Sequence, residues 1–142
     1  MLMASNMTPE KLVLVDALVQ MSFQILAVLN RVSSEHDLSV IQTRLLGVLR
    51  DREPGMLELA RHLNLDKSSI TGLVDRAERR GLVQRNPTPD DKRAIRVSMT
   101  PLGLQIALEI ANQIEHEINI LVTDLNDTER SRLAAILSRI IP

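Results

Sequence analysis

The chain holds 142 residues, enough to bury a core, and its 44% hydrophobic and 25% charged content excludes both a disordered chain and a membrane-embedded one. It has no Cys and one aromatic residue, Phe23, which excludes a disulfide framework, a thiolate metal site, thiol redox sensing and an aromatic base-stacking platform. The net charge of -1 conceals an asymmetry: between Arg61 and Arg96 nine Lys or Arg stand against five acids, net +4, and the rest of the chain is net -5.

Thr8-Pro9-Glu10 reads as an N-cap with Pro at the first helical position, and it opens a long first helix through Leu18, Phe23, Ile25, Leu26, Leu29 and Val32. The apolar arc is too wide for a solvated surface helix, so part of it is expected to pack against another chain. Ser39-Val-Ile-Gln42 is a capping box for a second helix through Leu45, Leu46 and Leu49, which stops before Pro54-Gly55. A short third helix, Met56 to Leu63, breaks at Asn64-Leu65, and Asp66 caps a fourth from Lys67 to Arg80, whose apolar stripe is Ile70, Leu73, Val74 and Ala77. Gly81 supplies its left-handed stop. A short helix, a tight turn and a longer capped helix make a helix-turn-helix.

Beyond Gly81 the period changes to two. Leu82 to Arg85 reads as a strand, residues 86–91 are rich in Pro and Asp, and Ile95, Val97 and Met99 alternate with Arg96 and Ser98, so a hairpin, the wing, is expected. A fifth helix runs from Pro101 to about Leu125 with Ile106, Ile110, Ile114, Ile118 and Leu121 along one side, and Asn126 to Glu129 caps a sixth. The expected fold is therefore mainly α with a small β-hairpin wing: a winged helix-turn-helix over 39–100, with helices at 8–34 and 101–142 carrying more apolar surface than that unit covers. That excess points to a homodimer. Residues 1–7 carry no basic n-region, and the longest uncharged run, Ala17 to Asn30, is short and interrupted by Gln20, Ser22 and Gln24, so the expectation is a cytoplasmic chain with no membrane partner.

Opposite the fourth helix's apolar stripe lie Ser68, Gly72, Asp75 and Arg79, flanked by Thr71 and Arg76. Hydroxyls and guanidinium groups of this kind can read base edges in a DNA major groove, although alone the pattern also describes a solvated helix face. The wing adds Asp90-Asp91-Lys92-Arg93, two cations at a hairpin tip within reach of the adjoining minor groove.

Residues 75–85 (Asp-Arg-Ala-Glu-Arg-Arg-Gly-Leu-Val-Gln-Arg), 89–94 (Pro-Asp-Asp-Lys-Arg-Ala) and 97–103 (Val-Ser-Met-Thr-Pro-Leu-Gly), with Leu38-Ser-x-x-Gln42 and Glu58-Leu-Ala60 upstream, closely resemble the multiple-antibiotic-resistance regulator (MarR) family over nearly the whole chain. The resemblance implies one MarR-type domain over 1–142, acting as a homodimer that binds double-stranded DNA at a pseudo-palindromic operator. It also implies repression released by a small-molecule effector bound between dimerisation and DNA-binding parts. It further places Ser68, Ser69, Thr71 and Arg76 at the major groove, pairs Asp91 with an Arg93 that enters the minor groove, and gives Arg85 and Lys92 phosphate contacts. The effector pocket would lie beneath the first, second and fifth helices, with Phe23 and Arg44 as ligand contacts and an anionic ligand near Arg44. Departures from the family pattern are Gly72 where a longer, often basic side chain is common, Thr43 in place of an aromatic, and Asp37 in place of Gly.

Other chemistry finds no residues. His116-Glu117 lacks the second His of a zinc helix, because position 120 is Ile, and Glu129 occupies the Gly position of a calcium loop that Asp124 would begin. His36 and His62 are expected to make solvent or capping contacts. With no nucleophile elbow, Gly-rich phosphate loop or paired catalytic groups, neither an enzyme nor a cofactor is expected. The rival to a DNA-binding regulator is a winged-helix dimer serving protein interaction or structure.

Overall fold

The computed structural model describes residues 8–90 and 94–142. In chain order the described elements are α1 (Pro9–Glu35), α2 (Val40–Leu49), α3 (Met56–Leu63), α4 (Lys67–Arg79), β1 (Val83–Pro87), β2 (Ile95–Met99), α5 (Pro101–Leu121) and α6 (Asp127–Ile140). The fold is mainly α with one antiparallel hairpin. The chain divides into two compact units, Asn30–Gln113 and Met1–Leu29 with Ile114–Pro142.

The central unit, 30–113, closes around aliphatic side chains contributed by every one of its middle elements. Leu45, Leu46 and Leu49 of α2, Leu59 and Leu63 of α3, the full predicted stripe Ile70, Leu73, Val74 and Ala77 of α4, and Leu82, Val83 and Val97 at the hairpin are all buried. Burying a side chain of this size contributes about 1.5–3 kcal/mol, so this cluster is what holds the helix-turn-helix in shape.

Local signals set the helix ends. Ser39 and Gln42 form the expected capping box, and the Asp66 carboxylate accepts the Ser69 N–H at 2.7 Å. Three turns end in a left-handed residue, Asp37 (φ 55), Asn64 (φ 53) and Gly81 (φ 74). In each the following amide reaches back to the carbonyl five residues before it: Leu38 to Ser33, Leu65 to Ala60 and Leu82 to Ala77. That last bond commits the Leu82 amide to α4, which is why the strand begins at Val83, one residue later than the alternation suggested.

The hairpin pairs Val83 with Met99 through to Pro87 with Ile95. A third, short rung comes from before α3, where the Pro54 carbonyl accepts the Val97 N–H at 2.9 Å and Gly55 bridges Arg96. At the other end, the Thr100 hydroxyl donates to the Gly81 carbonyl at 2.6 Å and accepts the Gly103 N–H at 3.0 Å, capping α5 against the end of α4. Gly103 is required there, since a Cβ on it would sit 2.0 Å from the Leu82 carbonyl oxygen.

The terminal unit is apolar but leaves that surface uncovered. Helix α6 has no buried residue, and Val13, Leu14 and Phe23 on α1 are 70%, 61% and 67% exposed, with Ile136 and Ile140 on α6 also open. Helix α5 ends at Leu121, four residues earlier than expected, because the Arg130 guanidinium takes the Val122 and Leu125 carbonyls at 3.0 Å each and turns the chain into α6. By length and composition α1 is apolar enough to cross a membrane, an 18-residue window having a mean hydropathy of 2.1 with 6% of it buried, a measure that a helix covered by other protein surface also meets.

Candidate nucleic-acid interface

All the site residues described below, Phe23 apart, belong to the central unit. Helix α4 offers two different flanks on either side of its buried stripe. Ser69 and Arg76, seven residues apart, share one flank, and with Ser68 and Gly72 they line a cleft of about 350 Å³ against Ile41 and Leu65. Asp75 and Glu78, three apart, share the other flank.

At the N-terminus of α4, Asp66 receives the Ser69 amide and also the Ser68 hydroxyl at 3.1 Å. The Ser69 backbone N–H, then the Ser69 and Ser68 hydroxyls, hold its carboxyl below the usual Asp range. The cap thereby orients Ser68 and Ser69, both exposed, at the end of the helix where amides and dipole favour a phosphate. Thr71 is exposed too, its hydroxyl donating to the Lys67 carbonyl at 2.8 Å. Arg76 and Arg79 are exposed and have no side-chain partner among the described residues.

Gly72 has a physical role in this arrangement. A Cβ there would come within 3.2 Å of Arg76 Nη1, so the Arg76 side chain lies along the trough that the missing side chain leaves.

Arg85, for which the resemblance implies a phosphate contact, is bound to the opposite flank of α4. Its Nη2 lies 2.7 Å from Asp75 Oδ1 and its Nη1 2.8 Å from Glu78 Oε1, while its backbone N–H donates to Glu78 Oε2 at 3.2 Å. Its side chain is 21% exposed. Arg80, at the C-cap of α4, donates to the Asp37 and His36 carbonyls and pins the helix end to the turn between α1 and α2. Sequence reasoning missed both arrangements, since neither partner set lies at a spacing that carries a motif.

Asp91, Lys92 and Arg93, with the wing contacts expected of them, lie outside the described residues; among those described, the Thr88 N–H donates to the Ala94 carbonyl at 3.0 Å. Of the two effector candidates, Phe23 belongs to the terminal unit and Arg44 to the central one, where its guanidinium donates to the His62 carbonyl at 3.3 Å. His62, which is exposed, also meets Arg52, Nε2 to Nη1, at 3.1 Å, a side-chain pair and not a helix cap. His36 departs from expectation, being half-buried: Nε2 meets Gln113 Oε1 at 2.8 Å, and Nδ1 stands 4.0 Å from Glu109. Among the described residues no group of three or more His, Cys, Asp or Glu could hold a metal ion.

A sequence profile described as "MarR family" matches residues 36–94. A protein described as a transcriptional regulator for the hcr operon of Thauera aromatica is 33% identical over 89 residues, 61% of this chain and 54% of its own length, so the chain spans about half of that relative. The transcriptional repressor NicR of Pseudomonas putida is 31% identical over 119 residues, 81% of this chain and 73% of that protein. Among solved structures, a mutant of Escherichia coli MarR complexed with operator DNA is 25% identical with a TM-score of 0.74, over 93% of this chain and 96% of that one. Element order, hairpin and sequence agree: the chain belongs to the MarR family of winged helix-turn-helix transcription regulators.

Proposed function

We propose that the chain is a homodimeric repressor of double-stranded DNA operators with dyad symmetry, released by a small-molecule effector. The carrying observation is the exposed face of α4, where Ser68, Ser69 and Thr71 accompany two cations, Arg76 and Arg79, that have no described partner. Such a face fits a major groove, Arg76 and the hydroxyls at base edges and the helix N-terminus at a phosphate. The wing residues Asp91, Lys92 and Arg93 add minor-groove and phosphate contacts, a role supported by the family resemblance. The uncovered apolar surface of α1 and α6 supports the dimer, because a second copy removes it from water. The small-molecule release rests on family resemblance alone, with Phe23 and Arg44 as its contacts.

Selection of genomic fragments with the purified chain tests the reading. The expected product is a sequence with a dyad whose half-sites are one turn apart, about 34–36 Å, protected in a footprint. Recovery of no enriched fragment at low ionic strength, with and without cellular metabolites, would refute it and leave the protein-interaction dimer.

A further inference from the structure

We propose that Arg85 is a positioning residue, a clamp that fixes the wing to the recognition helix α4, and not a phosphate contact; this rests on the DNA-binding reading above. Three observations carry it. The guanidinium is shared between two carboxylates of one α4 flank, at 2.7 Å to Asp75 and 2.8 Å to Glu78. The Glu78 carboxylate also accepts the Arg85 main-chain N–H at 3.2 Å, so it grips β1 by backbone and side chain together. On the strand, Arg85 stands opposite Val97, which is fully buried, so both project from the inward face of the hairpin.

The electrostatics favour the same assignment. One guanidinium facing two carboxylates, at 2.7 and 2.8 Å, leaves the cluster net negative, which disfavours a phosphate there. Arg79, which is exposed and has no side-chain partner among the described residues, offers a phosphate a better site. A clamp of this kind has a use in a protein that engages two adjoining grooves. It sets the angle between helix and wing, hence the register in which both engage one sequence, and a wrong angle weakens the operator more than random DNA.

The test compares wild type with R85Q, R85K and the double variant D75N/E78Q, each checked by circular dichroism for folding. Affinity for a selected operator and for a random duplex is measured by fluorescence anisotropy across a salt series. R85Q is expected to weaken operator binding by about tenfold, within the range of couplings inside one ion-pair network, leaving random-duplex affinity and salt slope unchanged. D75N/E78Q, which keeps the cation, is expected to weaken operator binding similarly, the triple variant R85Q/D75N/E78Q is expected to be no worse than either, and R85K recovers part of the loss. The assignment is overturned if R85Q lowers the slope by about 0.9 per chain and weakens both duplexes alike, or if D75N/E78Q strengthens binding by removing acids. A second readout needs no DNA: amide exchange at β1 speeds up in R85Q and D75N/E78Q if the clamp exists, and unchanged exchange removes it. Failure of wild type to bind any duplex, with exchange behaving as expected, would instead reject the DNA-binding reading while keeping the clamp.

Discussion

The two units of this chain use the same kind of residue in opposite ways. In the central unit the Leu, Ile and Val side chains of α2, α3, α4 and the hairpin close on one another, leaving Leu57, Ile95, Leu102, Leu104 and Leu108 as its exposed large apolar side chains. In the terminal unit Val28 is the one residue of the described core, while α1, the end of α5 and α6 leave eleven large apolar side chains open. A closed core is a property of one chain. An open one, on regular helices, is the surface that the proposed dimer would cover, so the difference separates what one chain closes by itself from what that proposal asks of a second copy.

The largest effect that sharpens this contrast is a cavity in the closed core. Leu45→Ala, at a fully buried position, is expected to destabilise the chain by about 2–5 kcal/mol in urea unfolding followed by circular dichroism. In the open unit, Leu14→Glu is expected to weaken self-association by about 2 kcal/mol or more, roughly thirtyfold in dissociation constant, as read by sedimentation. It should also remove the dependence of the unfolding midpoint on protein concentration, while the central unit keeps its helical signal. The contrast breaks if Leu14→Glu changes neither.

Smaller effects lie on α4. Gly72→Ala is expected to raise stability by up to about 1 kcal/mol, the helix-propensity difference, measured as a higher unfolding midpoint. The new methyl displaces Arg76 Nη1 from its 3.2 Å approach, so discrimination between operator and random DNA is expected to fall as stability rises. The smallest effect is a pH dependence at the cap. Hydrogen bonds, first of all from the Ser69 N–H, lower the folded pKa of Asp66 below its unfolded value. The unfolded chain therefore binds its proton at higher pH, so the contribution of Asp66 is fully present above the unfolded Asp range and is lost as pH falls through the folded value. A melting-temperature series from neutral to acid should show that decline reduced in Asp66→Asn, and an unchanged profile would remove Asp66 from the account.

The elements of the fold were legible because their signals are local. Ser39 with Gln42, Asp66 with Ser69, Gly81 after α4 and Asn126 with Glu129 each act within four residues, and each boundary falls where that chemistry puts it. The α4 stripe was legible for the same reason, its period of 3.6 being a property of neighbouring residues. The candidate site was legible in part. Exposure of Ser68, Ser69, Thr71 and Arg76 follows from their placement opposite or beside that stripe. The partners of Arg85 and Arg80 were not, because Asp75 and Glu78 reach Arg85 only after the chain reverses at Gly81, and Arg80 bonds carbonyls more than forty residues away. Gly72 stood out in the sequence only as a departure from the family pattern, and its approach to Arg76 Nη1 is visible only in the fold.

The measurement that bears most directly on the central claim is the salt dependence of wild-type affinity for a dyad-bearing fragment. A dimer presenting two α4 faces and two wings and neutralising about 6–10 phosphates is expected to lose about 10³–10⁵ in affinity between 50 and 200 mM salt. An affinity that stays level across that range, or binding undetectable at its lower end, would contradict it.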